Sequence, residues 1–355
     1  MLDYDKIADK FPWLLEESKD MIIGNDLDGF MSGQLMNFLL GWKIRGLYVN
    51  SQTIWFDADL RQDELPRCVY VDIDVNRNHI ASIGHHILKH SASDVLPNHQ
   101  TSTFNPNLER NRYLKGRWEE KYPLGTVHLL MGFYCHRGYS IPLPTNDDYM
   151  SLLWHADSAA LNAVKYFNNV MDLLSALLPR NTTRSPLHSL NDDLRKTTVH
   201  EFSRRLNRFF DTLASEPYNY TRGQQPTITN PLDSTEMSKL RSLRQLIQKS
   251  TGWGSHPAAL PKQWICSHLP TERRNTMTEM VVTPDEIEQV LLEVGAPLAD
   301  DEQRMVVKAY LKERGLTLEE IDNYLKGLCP HIDGPDGMIF WLGGVWAGLR
   351  RRNPP

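Results

Sequence analysis

Asp26 and Asp28 stand one residue apart in the stretch NDLDG, with Gly29 immediately after them and an apolar run at residues 21–23 just before. Two unneutralised carboxylates that close repel each other and call for a cation; the simpler reading of such a pair is a capped, solvated turn. A second pair, Asp72 and Asp74, closes the β-branched run CVYV in the stretch VYVDID, and His85-His86 closes a third run, IASI, in GHH. Asp157 follows in WHADS, among apolar neighbours. Adjacent histidines are ordinarily surface or satisfied core residues, and a single Asp in a helix is ordinarily exposed or capping. Taken together, three successive apolar runs each end in carboxylates or imidazoles, which is the donor chemistry of a cation site.

For these residues to meet, the runs that precede them must be neighbouring strands. Residues 21–23, 68–71 and 80–83 have strand character, while 30–42 and 126–135 carry apolar residues at helical spacing. The alternation predicts an α/β fold, a parallel sheet with flanking helices, and such sheets bind ligands at the carboxyl ends of their strands. Residues 147–178 read as continuously helical, and 193–213 as a long amphipathic helix. The stretch 215–235 is rich in Pro, Gly, Asn and Thr without periodicity, and it is expected to link a first domain, 1–214, to a smaller one, 236–355. The second domain is expected to be largely helical or mixed, with helical patterns at 236–249, 284–294, 300–314 and 317–328.

Composition narrows the partners. The 355 residues carry 41% hydrophobic side chains and a net charge of −5, so no overall basic field draws the chain to nucleic acid; such a contact needs a local patch. The four cysteines are scattered without a CxxC pair, which argues against a disulfide framework and a thiolate zinc site and for a reducing, cytoplasmic location. The charged N-terminal stretch does not have the pattern of a signal peptide, and the longest nearly apolar run, 338–349, is too short to span a bilayer. No membrane association is expected.

The order NDLDG, VYVDID, GHH, WHADS resembles the motif series of the DHH phosphoesterase superfamily, which includes RecJ-type exonucleases, nanoRNases, cyclic-dinucleotide phosphodiesterases and manganese pyrophosphatases. The resemblance covers about residues 20–175. It implies that Asp26, Asp28, Asp72, His85 and Asp157 bind metal, with Asp74 as a substitute ligand. By the same resemblance His86 contacts a substrate phosphate or protonates the leaving group, so that His85, His86 and Asp72 form the catalytic set. Oxygen donors with one or two imidazoles suit Mn²⁺ or Mg²⁺, and two such ions activate water for in-line displacement at phosphorus. This sequence departs from the pattern at Gly84, which stands where the triplet has Asp, and at Ile22, Gly24 and Asn25, where the first motif usually has a further acid or histidine.

The implied function is hydrolysis of phosphodiester bonds in single-stranded nucleic acid or short oligonucleotides. Cyclic dinucleotides or other small phosphoesters would use the same cluster, and the glycine at position 84 equally suits a catalytically weakened nucleotide-binding regulatory module. Arg110, Arg112, Lys115 and Arg117, between the third and fourth motifs, are candidates for neutralising substrate phosphates, and Gly343 and Gly344, before Arg350–Arg352, for receiving phosphate on backbone amides. The stretch 195–210 interleaves Arg204, Arg205 and Arg208 with Phe202, Phe209 and Phe210, a pattern of either a single-strand track or an amphipathic helix.

Overall fold

Met21, Ile22 and Ile23 are all fully buried, as a strand covered on both faces requires. The computed structural model describes residues 2–268 apart from 51–52, 76, 78, 97–100, 116–119, 180, 183 and 255–259. The expectations for the helical patterns beyond residue 270, for Gly343 and Gly344, and for Arg117 lie outside the described residues.

The strands are β1 (Asp20–Gly24), β2 (Lys43–Asn50), β3 (Thr53–Asp57), β4 (Val69–Val71), β5 (Ser82–Ile83), β6 (Thr103–Phe104) and β7 (Trp264–His268). They form one seven-stranded sheet in the order β6-β5-β4-β1-β2-β3-β7. The five strands from β6 to β2 are parallel, and β3 and β7 continue the sheet by antiparallel pairing. The chain leaves β1 to one side, for β2, and later returns to its other side, for β4. Strand order therefore reverses at β1, and the carboxyl ends of β1 and β4 are the switch point at which open α/β sheets bind ligands.

Helices α1 (Tyr4–Lys10), α2 (Leu27–Leu40), α3 (Pro106–Glu109), α4 (Thr126–His136), α5 (Asp147–His155), α6 (Ala159–Lys165), α7 (Phe167–Leu177), α8 (Pro186–Lys196), α9 (Val199–Ala214) and α10 (Ser234–Thr251) complete the architecture. Met21 and Ile23 of β1 join the larger core with Phe30, Met31 and Leu35 of α2 and Leu130 and Phe133 of α4. Ile22 points the other way, into a smaller cluster with Ile54, Phe56, Leu65 and Tyr70. The alternation follows from the two-residue period of a strand. No helix among the described residues is long and apolar enough to cross a membrane.

The long helix expected over 147–178 is broken. After α5 the chain makes a short 3₁₀ turn in which Asp157 (φ 47°) and Ser158 (φ 56°) take left-handed backbone, then starts again as α6 and, past Tyr166, as α7. Two consecutive left-handed residues cannot continue a right-handed hydrogen-bond ladder. The helix expected over 193–213 is likewise two helices, α8 and α9, which meet at Thr197-Thr198; the Thr198 side chain caps α9 by accepting from the Glu201 N–H.

The stretch expected as a linker is part of one compact unit that runs Met1–Pro270. Ile228 N–H donates to the Asn25 carbonyl and Asn25 Nδ2 donates back to the Ile228 carbonyl, both at 2.9 Å, while Asp26 and Thr227 form an isolated bridge. Helix α10, expected beyond the boundary, buries Leu240, Leu243 and Ile247 in the same core as β1. A Pro- and Gly-rich composition reports missing periodicity; it carries no information about what the segment packs against.

Helix α9 is amphipathic. Phe202, Leu206, Phe209 and Leu213 are buried along one stripe, Arg204 and Arg208 are exposed, and Arg205 is drawn inward to Asp193 of α8. That carboxylate accepts from Arg205 through both oxygens, from Trp154 Nε1 at 2.7 Å and from Thr197 Oγ1 at 3.0 Å, which ties α5, α8 and α9 together. With Arg205 14% and Asp193 12% exposed, removing one partner strands the other charge. Arg205→Met is expected to lower unfolding free energy by about 2–4 kcal/mol in urea titration, and Arg205→Met with Asp193→Asn to recover part of that loss; equal stability of wild type and Arg205→Met would remove this network from the account.

Candidate metal centre

The turn between β1 and α2 divides its two aspartates between two tasks. Gly29 packs so tightly on the end of β1 that a Cβ there would lie 2.3 Å from the Gly24 carbonyl oxygen, so only glycine fits. This close approach lets Asp26 cap α2, its Oδ1 accepting from Gly29 N–H at 3.1 Å. Asp28, fully buried, turns into the protein and accepts from the Thr126 N–H at 2.6 Å and the Val127 N–H at 3.0 Å, the first amides of α4. The carboxylate thus sits at the positive end of that helix.

Past the end of β4, Asp72 takes left-handed backbone (φ 64°), and its Oδ1 accepts from Thr126 Oγ1 at 2.9 Å. His85, past β5, fills the space between. Its Nδ1 lies 2.9 Å from Thr126 Oγ1, 3.3 Å from Asp72 Oδ1 and 3.7 Å from Asp28 Oδ2, and its Nε2 lies 3.0 Å from Asp157 Oδ2. Nδ1 thus faces the Thr126 hydroxyl and Asp72 while Nε2 faces Asp157, and carboxylates on both sides favour the charged form of the ring. The left-handed break at Asp157 is what aims that carboxylate at His85.

Electrostatics follow this crowding. Burial and the charge of Asp72 raise Asp28 well above the usual carboxylate range; burial and Asp26 raise Asp72; burial and Asp28 push Asp26 up to about 7. Burial opposes charge on His85, but Asp157 and Asp72 outweigh it and hold the imidazolium well above the ordinary histidine range. Asp157 shows the converse: burial raises it, and His85 brings it below the usual value. Ligand atoms of Asp28, Asp72 and His85 all lie within 4.8 Å of one another, so this buried group can hold a metal ion. Oxygen donors from two carboxylates and a single imidazole suit a hard or borderline divalent cation, and the raised carboxylates mark unbalanced negative charge there.

Asp74 is engaged elsewhere. Its Oδ2 accepts from the His86 N–H at 3.1 Å and faces His86 Nδ1 at 3.0 Å, while its Oδ1 accepts from Asn105 Nδ2 at 2.7 Å. Burial alone would raise Asp74; the bonds from His86 and Asn105 hold it below the usual carboxylate range. A Cβ added at Gly84 would fall 2.3 Å from the Asp74 carboxyl group. The carboxylate of residue 74 therefore occupies the volume that a side chain at 84 would need, which accounts for glycine there. The His86 side chain, 50% exposed, stacks on His85 at 4.5 Å between ring centroids.

Several supporting residues have no signature as ligands. Thr126 bridges His85, Asp72 and Asp28; Asn105 holds Asp74 and the His86 carbonyl; Asn107 Nδ2 donates to the His85 carbonyl at 2.7 Å and its Oδ1 accepts from Tyr122 N–H. The Asn-Pro-Asn sequence at 105–107 is legible as a helix cap, and Thr126 as a helix start; their second duties are not. Of the basic candidates, Arg112 pairs with Glu120 and Asp172, Arg110 pairs with Asp172, and Lys115 is exposed. The buried thiols of Cys68 and Cys135 are pushed up to about 12 by burial, which leaves them inert. No family model, curated protein or solved structure matches the chain.

Two outcomes are expected. Cation binding must displace protons from His85 and the raised carboxylates, so Mn²⁺ affinity measured by calorimetry should rise at least about tenfold from about pH 6 to about pH 8 and vanish in Asp28→Asn with Asp72→Asn; affinity independent of pH would contradict this proton inventory. Gly84→Ala should cost about 1–3 kcal/mol by overpacking against Asp74, and most of that cost should disappear when Asp74→Ala is the background, a coupling read from a double-mutant cycle.

Proposed function

We propose that the protein is a divalent-metal-dependent phosphodiesterase acting on single-stranded nucleic acid or short oligonucleotides. The observation that carries this reading is the convergence of Asp28, Asp72 and His85 at the carboxyl ends of parallel strands, where strand order reverses, with Asp26 and Asp157 beside them. The same residues carry the resemblance to the DHH phosphoesterases. Asp28, Asp72 and His85 would hold one cation, and Asp26 and Asp157 flank it for a second. Mn²⁺ or Mg²⁺ bound there supplies positive charge to phosphoryl oxygens and lowers the pKa of water.

The chain's own residues set the rest of the chemistry. Thr126 Oγ1 lies 2.9 Å from both Asp72 Oδ1 and His85 Nδ1 and so holds the two side chains toward one point. His86 lies at the exposed edge of the cluster with Nδ1 held by Asp74, which leaves Nε2 as the ring nitrogen that can donate a proton to a departing alkoxide or bind a phosphate oxygen. Asp74 orients that ring, in the manner of a carboxylate behind a catalytic imidazole.

A second reading, a nucleotide-binding module without turnover, draws on the His85 imidazolium, which already neutralises part of the cluster through Asp157 and Asp72. Hydrolysis of a panel of single-stranded DNA, RNA dinucleotides, cyclic dinucleotides and pyrophosphate with Mn²⁺ or Mg²⁺ separates the two. Turnover of an oligonucleotide is expected, lost by at least about a thousandfold in Asp28→Asn with Asp72→Asn and reduced in kcat by about 10²–10⁴-fold in His86→Ala. Metal-loaded, folded protein that binds but does not cleave any of these would favour the module.

A further inference from the structure

Arg244, on α10, is 7% exposed, and no hydrogen bond or ion pair reaches its guanidinium from the described residues; one of its terminal nitrogens is fully enclosed without a partner. Arg45, Arg110 and Arg112 also enclose a nitrogen without a hydrogen bond, but each has a carboxylate beside it, as Arg205 does: Arg45 pairs with Asp57, Arg110 with Asp172, Arg112 with Glu120 and Arg205 with Asp193. A buried, unpaired guanidinium is destabilising unless a counter-ion compensates it. Burial lowers the Arg244 guanidinium to about 10, so it remains charged at neutral pH.

Arg244 does not face packed protein on every side. With Arg241 and Met237, one and two turns earlier on the same stripe of α10, it lines an open cavity of about 420 Å³ together with Leu260, Pro261 and Lys262. Three cations meet there, and no carboxylate lines the cavity among the described residues. None of these residues belongs to the metal centre.

We propose that this cavity is a phosphate-binding site, with Arg244 as its anchor, Arg241 and Lys262 as flanking charges, and Met237, Leu260 and Pro261 as an apolar wall. A planar guanidinium offers paired N–H donors that match two oxygens of a tetrahedral oxyanion. Three positive charges favour a doubly charged phosphomonoester over a singly charged carboxylate. The volume admits a group larger than free phosphate, and the apolar wall suits the base of a nucleoside monophosphate. The assignment is independent of the chemistry at Asp28, Asp72 and His85.

Calorimetric titration of the full chain with inorganic phosphate and, separately, with adenosine monophosphate tests this, in EDTA so that the metal centre takes no part. Saturable binding of at least one is expected, weakened at least about tenfold by Arg244→Met. Without either ligand, Arg244→Met should unfold at the same temperature as wild type or higher, because it removes an unpaired buried charge; a merely structural arginine would give a lower temperature. Tighter binding of the nucleotide than of phosphate assigns the apolar wall to a base, and equal binding assigns the site to the anion alone. Should Arg244→Met not fold, Arg241→Ser with Lys262→Ser, both at exposed positions, decides by the same titration: weakened binding supports the site and unchanged binding overturns it. Absence of binding to wild type, or undiminished binding to Arg244→Met, also overturns it.

Discussion

The Asp28 carboxylate on the first two amides of α4 is the contact from which the centre is built. It joins residues nearly a hundred positions apart, at 2.6 and 3.0 Å, in a place with no access to water. A buried carboxylate unmatched by donors would cost several kcal/mol, roughly, and the free N–H groups of a buried helix start would add to that cost. Each satisfies the other. Once α4 is placed, the Thr126 hydroxyl falls between His85 and Asp72, and the ends of β1, β4 and β5 are held in one register.

Charge at this centre is not balanced within its carboxylates. Asp26, Asp28 and Asp72 are all raised, and His85 is the one cation among them in the described structure. Asp157 reaches the far side of that imidazolium only because the helix breaks there, so backbone strain at 157–158 and charge at His85 are two sides of one arrangement. Asp74 is the exception among the acids: with Gly84 lacking a side chain, it moves into the vacated volume and serves His86 instead. Gly84 and Asp74 are thus the two halves of a steric pair.

Two parts of the compact unit differ in how they treat positive charge. Around α8 and α9 an arginine is paired, and the alternation of Arg and Phe resolves into an amphipathic helix whose aromatic stripe is core. On α10 an arginine is buried without a partner among the described residues, at a cavity. Sequence pattern does not separate the two cases: Arg205 and Arg244 both lie in helical stretches rich in apolar and basic residues. The partner of Arg205 is twelve residues away on another helix, and whether a carboxylate arrives is settled by packing.

The α/β class, the strands at β1, β4 and β5, the helices α2 and α4, and the aspartates and histidines at the strand ends were all legible in the sequence, because hydrophobic period and residue type are properties of neighbouring residues. The break at Asp157, the inclusion of residues 215–251 in the first unit, the division of labour between Asp26 and Asp28, the bridging role of Thr126 and the pairing of Asp74 with Gly84 were not. Each depends on groups ten to two hundred residues apart arriving within about 3 Å, in contact or at hydrogen-bonding distance. The sequence determined which residues are able to bind a cation; the tertiary structure decided which carboxylates face one another, which are consumed as caps, and which cation stays unpaired, since burial and pairing exist only once the chain has folded.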